Sequence, residues 1–308
     1  MSCQLRPLVW SAPLLVVLAF LPAAVFTATQ SNPDPFGFKF NSGQDVQPIF
    51  EGWAGNPDGS FAMYFGYINR NYVETMEVPV GPDNKIEPGA PDRGQPTFFN
   101  TRIHRKAFSV TVPRDWGTTK ELVWSLTVHG TTERAVGWLQ REWEIDPIYG
   151  GRTRTAESLK NKPPAMTVDT SSTITLPDTL TLAATVNDDG LPKPKGPRQP
   201  AVGQETPPTL KPLPDQPEIP VNVPSIPTGG RGRGRGGPQG LVVAWVVWRG
   251  PAAVGFAPAT VEAKDGKAVT TATFTKPGNY VLRGVANDGE LTDQKDVNVK
   301  VNGPSNRF

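Results

Sequence analysis

The chain has 308 residues, a single cysteine and a formal charge of +2. That length suits about two domains, the charge is too small to mark the whole surface as a partner for polyanions, and one cysteine excludes a disulfide framework. With 34 prolines, 31 glycines and no long helical periodicity, many short strands joined by Pro/Gly turns are expected, an all-β chain of sandwiches.

Residues 1–28 read as a secretory signal peptide. Arg6 is their only charge, residues 14–26 are nearly all apolar, and the small residues Ala23, Ala24, Thr27 and Ala28 form a cleavage zone. A retained anchor is the other reading, because the apolar run 8–26 is just long enough to span a bilayer; Pro13, Pro22 and the small-residue end favour cleavage. Cys3 leaves with the peptide, so the mature chain relies on buried cores. The expected location is secreted, periplasmic or cell-surface, with membrane contact only through an uncleaved signal segment.

Residues 29–47 are polar and Gly/Pro-rich, a flexible lead-in. Residues 48–146 read as an N-terminal β-sandwich. An aromatic strand over 60–69 is expected to turn at Asn69-Arg70-Asn71 into a second strand over 72–80, giving a hairpin. Residues 81–96 carry Pro, Gly, Asp and Asn and read as a loop. Further strands are expected over 107–112, 121–128 and 135–143, with His129-Gly130-Thr131 turning between the last two. Phe65-Gly66-Tyr67-Ile68-Asn69, then Val78-Pro79-Val80-Gly81-Pro82-Asp83-Asn84, then Asp92-Arg93-Gly94-Gln95-Pro96-Thr97-Phe98-Phe99 resembles a pattern of secreted bacterial surface proteins: GY-x-N, VPVGP-x-N, DRGQPT-x-F. No activity comes with that resemblance. Asp92-Arg93-Gly94-Gln95 reads as a self-satisfying turn, with Arg93 paired to a carboxylate inside the loop. The other reading makes Arg93, with Tyr64 and Tyr67 of the aromatic hairpin, a surface for a glycan or an envelope protein.

Residues 147–163 form a basic linker, and residues 164–303 a second β-sandwich. Short strands are expected over 166–168 and 172–176 and a cleaner one over 180–186. Residues 193–240 then interrupt the pattern, first Pro-rich, then Arg231-Gly232-Arg233-Gly234-Arg235-Gly236-Gly237. Such a composition cannot bury enough apolar surface to offset its ordering entropy, so a disordered insert is expected. The sandwich resumes at Leu241. Residues 269–301 alternate apolar and polar around Lys276-Pro277-Gly278-Asn279 and Asn287-Asp288-Gly289, which reads as the last three strands of an immunoglobulin-like sandwich. Spliced across the insert, residues 176–301 run through a strand ending in DDGLP, a Trp-bearing strand followed by GP-x-x-V-x-F, and TTATF-x-x-PG-x-YVL with A-x-DGEL. That order closely resembles the PKD-like, immunoglobulin-fold repeats of bacterial surface and secreted proteins. The resemblance implies a spacer or adhesive unit; the large insert departs from it.

Trp245 is expected in the core between the sheets, whereas Trp248 falls on the opposite pleat. Tyr280 is expected at a corner, its hydroxyl bonded to backbone. Asp188, Asp189 and Asp288 lie in loops that share one end of an immunoglobulin sandwich, so they are candidate ligands for Ca²⁺, which prefers hard oxygens; the other reading has Asn-Asp-Gly merely making turns. No other cofactor is indicated. The Arg-Gly run supplies too few phosphate contacts for specific nucleic-acid binding. His104 and His129, the only histidines, sit in no hydrolase motif, and paired glycosidase carboxylates are a property of the fold rather than of spacing. The chain therefore reads as an exported, non-enzymatic structural or adhesive module, with a binding module as the second reading and a hydrolase as the third.

Overall fold

The computed structural model describes residues 40–146, 159–192 and 240–304. The signal segment, most of the lead-in and linker, and the insert over 193–239 lie outside the described residues.

The described chain is all-β and forms two immunoglobulin-like β-sandwiches. In the first, β1 (Val46–Gly55) and β2 (Phe61–Asn69) precede the short β3 (Met76–Glu77), β4 (Asn84–Glu87) and β5 (Phe98–Phe99). β6 (Arg102–Val112), β7 (Leu122–Val128) and β8 (Thr131–Gly137) follow. One sheet has the order β1-β2-β6 and the facing one β4-β7-β8, while β3 and β5 pair as a two-stranded ribbon. Strict alternation of buried and half-exposed residues in β1 and β7 turns one side chain in two towards the core. That core is aromatic: Phe65 stacks on Phe108 with 5.6 Å between ring centroids, and Trp124 meets Phe108 edge-on at 5.0 Å.

Three expectations for this sandwich are corrected. The aromatic strand β2 does not fold back onto 72–80; it lies between β1 and β6. Asn69 prevents the hairpin, because its buried amide donates to the carbonyls of Glu74 and Phe99 and its oxygen accepts the Asn71 N–H. The stretch read as a loop contains β4, held in place by buried Asn84. Its amide donates to the carbonyls of Val78 and Pro96 and its oxygen accepts the Trp124 indole N–H, so every polar arm is satisfied. The last strand starts at Thr131 and ends at Gly137, not at Trp143, after a two-residue turn in which His129 and Gly130 have φ of 50° and 78°, the left-handed pair that suits strand twist.

The second sandwich is built from β9 (Ala165–Val168), β10 (Ser171–Thr175), β11 (Thr179–Asn187), β12 (Val242–Arg249), β13 (Val254–Ala257), β14 (Thr260–Glu262), β15 (Lys267–Phe274), β16 (Gly278–Asn287) and β17 (Thr292–Asn302). One sheet is β13-β15-β11-β9 and the other β10-β17-β16-β12-β14. The strands read around the two turns are β15, β16 and β17, with β15 pairing β11 in one sheet and β16 lying between β12 and β17 in the other. β10 runs parallel to β17, from Ser171 opposite Asn298 to Thr175 opposite Asn302. Trp245 is fully buried in the core. Its cross-strand partner is Gly284, where even a methyl group would come within 3.1 Å of the indole. Tyr280 is buried and its hydroxyl donates to the Lys276 carbonyl at 2.9 Å, the expected corner.

β11 has a described strand on each edge, β15 and β9, and so does β12, between β16 and β14. Neither needs a further strand from the sequence between them. Replacing residues 193–237 by a short Gly/Ser turn is therefore expected to leave the melting temperature within a few degrees of the parent, since loop closure changes by only about 0.6 kcal/mol per halving of length. Calorimetry of the deletion variant checks this; loss of the cooperative transition would refute it.

Candidate functional site

Two places concentrate functional chemistry: the joint between the sandwiches and the loop end of the second one. The joint is made by the outer face of β12 and β16. Seven consecutive residues of β12, from Val242 to Trp248, are buried, which an isolated sandwich cannot achieve because alternate residues of an outer sheet meet solvent. Val243, Trp245 and Val247 fill the core of the second sandwich, while Val246, Trp248 and Val285 join the core of the first. In return Phe98 of β5 is packed into the core of the second.

Trp248 lies at a bulge, where the register passes from Val247 opposite Leu282 to Arg249 opposite Val281. The bulge frees its carbonyl, which accepts the Thr97 N–H of the first sandwich at 3.2 Å. Its ring contacts Phe108 with centroids 6.2 Å apart, and the Arg283 guanidinium sits 3.6 Å above it. Arg283 is held by a two-pronged contact to Asp296 at 2.7 and 2.9 Å and donates to the Ala107 carbonyl at 3.0 Å. Asn100 donates to the Val247 carbonyl at 3.0 Å.

The residues expected to bind a ligand are placed differently by the structure. Tyr67 is fully buried, stacked on His104 with centroids 4.6 Å apart, and its hydroxyl accepts the Asn100 N–H; it is core, not a platform, because its ring lies on the inward face of β2 against Phe99 and His104. Burial pushes its hydroxyl pKa far up. Tyr64 is half-buried. Arg93 pairs with no carboxylate of its loop: it donates to the carbonyls of Pro88 and Thr111. The loop's Asp92 is taken by Arg249 of the second sandwich, through two bonds at 2.9 and 2.7 Å. These bonds hold the Asp92 carboxyl down to about 2. Arg249 also donates to the Gln95 carbonyl, so the DRGQ turn is a socket for the second sandwich.

The most exposed tryptophan of this region is one the sequence reading passed over. Trp143 is 41% exposed, on a 3-10 turn spanning Arg141–Trp143, with Trp138 at 6.5 Å. Gln140 ties the group together, its carbonyl accepting the Trp53 indole N–H and its side-chain oxygen that of Trp138. The two histidines are far apart in environment. His104 is buried, donates through Nε2 to the Thr101 carbonyl and has no partner at Nδ1; burial lowers its pKa to about 4. His129 is exposed on its turn, 3.5 Å from Glu74, beside a groove of about 570 Å³ lined also by Glu77 and Asp83.

At the loop end of the second sandwich, Asp188 and Asp189 follow β11 and Asp288 joins β16 to β17. The expected trio does not converge. Asp189 is drawn off by two backbone donors, Leu191 N–H at 3.0 Å and Lys162 N–H at 3.0 Å. Asp188 accepts the Gly190 N–H at 2.9 Å, and one oxygen of Asp288 accepts the N–H groups of Glu290 and Leu291 at 2.6 and 2.7 Å. Among the described residues no group of three or more His, Cys, Asp or Glu is placed to hold a metal ion. A residue outside the expected set, Asn161, joins the loops instead, donating to the other oxygen of Asp288 at 3.1 Å. Burial raises the pKa of both Asp188 and Asp288, the charge of Asp189 adding to the effect at the first and that of Asp188 at the second.

No protein-family model matches the chain, and no curated protein matches it in sequence. Among solved structures it is similar to an I-band fragment of titin, at 8% identity and a TM-score of 0.24, covering 85% of this chain and 67% of that one. It is also similar to fibronectin(III)-like modules of CbhA from Clostridium thermocellum, at 8% identity and a TM-score of 0.23, covering 86% and 97%. The N-terminal eight Ig domains of DSCAM match at 9% identity and a TM-score of 0.22, covering 84% and 27%. At TM-scores this low the matches carry no inference, and the sandwich assignment rests on the strand order and register above.

Proposed function

We propose that the chain is an exported, non-enzymatic structural module of a bacterial envelope or its exterior, its second sandwich being PKD-like. The observation that carries this reading is the reciprocal exchange of Trp248 and Phe98 between the two cores. Residues that a binding module would hold at its surface are spent here on fixing one sandwich to the other, and rigid spacing is what such a joint supplies. The buried histidine and the exposed one occupy separate environments, which favours no acid–base pair. A glycan- or protein-binding role is the second reading, and the half-exposed Trp138 and exposed Trp143 favour it, since aromatic side chains clustered at a surface often anchor ligands.

Export is tested on protein recovered from the producing cell. Its N-terminal residue is expected between about 24 and 31, as a small-residue cleavage zone requires, and it is expected in the secreted or envelope fraction. Intact Met1 in the membrane fraction would replace the reading with an anchored one, and intact Met1 in the cytosol would end it. In the same fractions a structural module keeps its distribution in Trp143→Ala, whereas release of that variant from the envelope would establish the binding reading.

A further inference from the structure

Three segments far apart in sequence meet at the loop end of the second sandwich: the chain entering β9, the loop after β11, and the β16–β17 turn. Asn161 is 5% exposed and Asp288 5%. The Asn161 amide donates to Asp288 Oδ2, but its own oxygen has no partner. Asp188 spends one oxygen on the Gly190 N–H, and its Oδ1 is buried without a partner. At this end of the sandwich two side-chain oxygens, Oδ1 of Asn161 and Oδ1 of Asp188, are therefore left without a donor. Buried acceptors are almost always satisfied, and the charge of part-buried Asp188 acts unfavourably on buried Asp288, a repulsion that a positive charge between them relieves. The orphaned oxygens of Asn161 and Asp188 are independent of the Asx turns, which use the other carboxylate oxygens.

We propose that Asn161, Asp188 and Asp288 form a Ca²⁺ site that ties the chain entering the second sandwich to both of its end loops. All three donors are hard oxygens, and neither nitrogen nor sulfur is offered, which disfavours zinc. Two carboxylates and an amide at irregular spacing suit Ca²⁺, with water and backbone carbonyls completing its six to eight oxygens; Mg²⁺ demands an octahedron and keeps its water. The ion takes the place of the Asn161–Asp288 hydrogen bond, the amide turning its oxygen towards the carboxylates. Asp189 stays outside the site, bonded to Lys162 and Leu191.

The test uses the full chain stripped with EDTA, then titrated with CaCl₂ or MgCl₂ by calorimetry and thermal unfolding. The expected result is a saturable heat with Ca²⁺ and a rise in melting temperature that grows with concentration above Kd, with Mg²⁺ giving a smaller rise at equal concentration. Asp188→Asn is expected to weaken binding at least tenfold while its EDTA-stripped form melts no lower than the parent. Asp189→Asn is expected to bind as the parent does. Asn161→Asp, which adds a third carboxylate without removing a ligand, is expected to tighten binding, and keeps the proposal testable if Asp188→Asn does not fold. No heat and no shift with Ca²⁺, or unchanged affinity in both Asp188→Asn and Asn161→Asp, would overturn it.

Discussion

Trp248→Ala is expected to lower the unfolding free energy of the whole chain by about 3–5 kcal/mol, the usual cost of emptying a buried tryptophan site. The melting temperature should fall on the order of 10 °C. The reason for so large an effect on a residue at the edge of its own sandwich is that its ring lies in the other core, against Phe108 and beneath Arg283. Phe98→Ala should act in the same way from the opposite side. Because each core contains a side chain of the other, the two sandwiches are expected to unfold in one transition, with calorimetric and van't Hoff enthalpies equal. Two resolved transitions, only one of which moves in Trp248→Ala, would contradict this. The second sandwich produced alone should associate or bind hydrophobic dyes, since Val246, Trp248, Val281 and Val285 would then face water.

Acid should destabilise the fold through His104. Its pKa in the folded chain is about 4 because the ring is buried, against about 6.5 in an unfolded one. A base whose folded pKa is depressed stabilises the fold fully above the unfolded value and progressively less as pH falls towards the folded one. The loss over roughly pH 6.5 to 4 is about 3 kcal/mol. Glu51, Asp188 and Asp288, whose carboxyls burial holds above their ordinary values, act with the opposite sign and gain stability on protonation. The contribution of His104 is therefore read as a difference. Denaturant unfolding of the parent and of His104→Gln, which keeps a donor for the Thr101 carbonyl, should show a shallower decline in the variant across that window. Parallel pH profiles would sink the assignment.

How much of this was legible in the sequence depends on the range of the contacts involved. The pleat parity of Trp245 and Trp248 follows from alternation alone, so the sequence places the first in the core and the second on the other face, but not what covers that face. Tyr280 closes a corner with a carbonyl four residues away, and Asn287-Asp288-Gly289 makes its own turn; both are local and both were readable. Asp92 finds Arg249, 157 residues on, and no local rule selects that partner over Arg93 beside it. β4 hides inside a Pro/Gly-rich stretch because its order comes from Asn84 and Trp124, a contact spanning 40 residues. The expected 72–80 strand shrinks to Met76–Glu77, paired with β5 instead of β2, for the converse reason: Asn69 holds the chain at Glu74 and Phe99, and propensity yields to such tertiary demands. At the loop end, the Asp residues were visible as turn formers, while Asn161 sits in a basic, proline-bounded stretch with nothing to mark it.

The parallel pairing of β10 with β17 governs how the second sandwich answers a pull. The first strand of that pair enters from residue 170 and the other leaves towards residue 303, and the two run side by side in the same direction from Ser171–Asn298 to Thr175–Asn302. Tension applied to the two ends drags the strands past each other along their length. Every hydrogen bond of the ladder then resists together, in shear, instead of opening one after another as at the mouth of an antiparallel hairpin. Forced unfolding is governed by the barrier to that first rupture rather than by equilibrium stability, so a chain that melts at an ordinary temperature can still bear load along this axis.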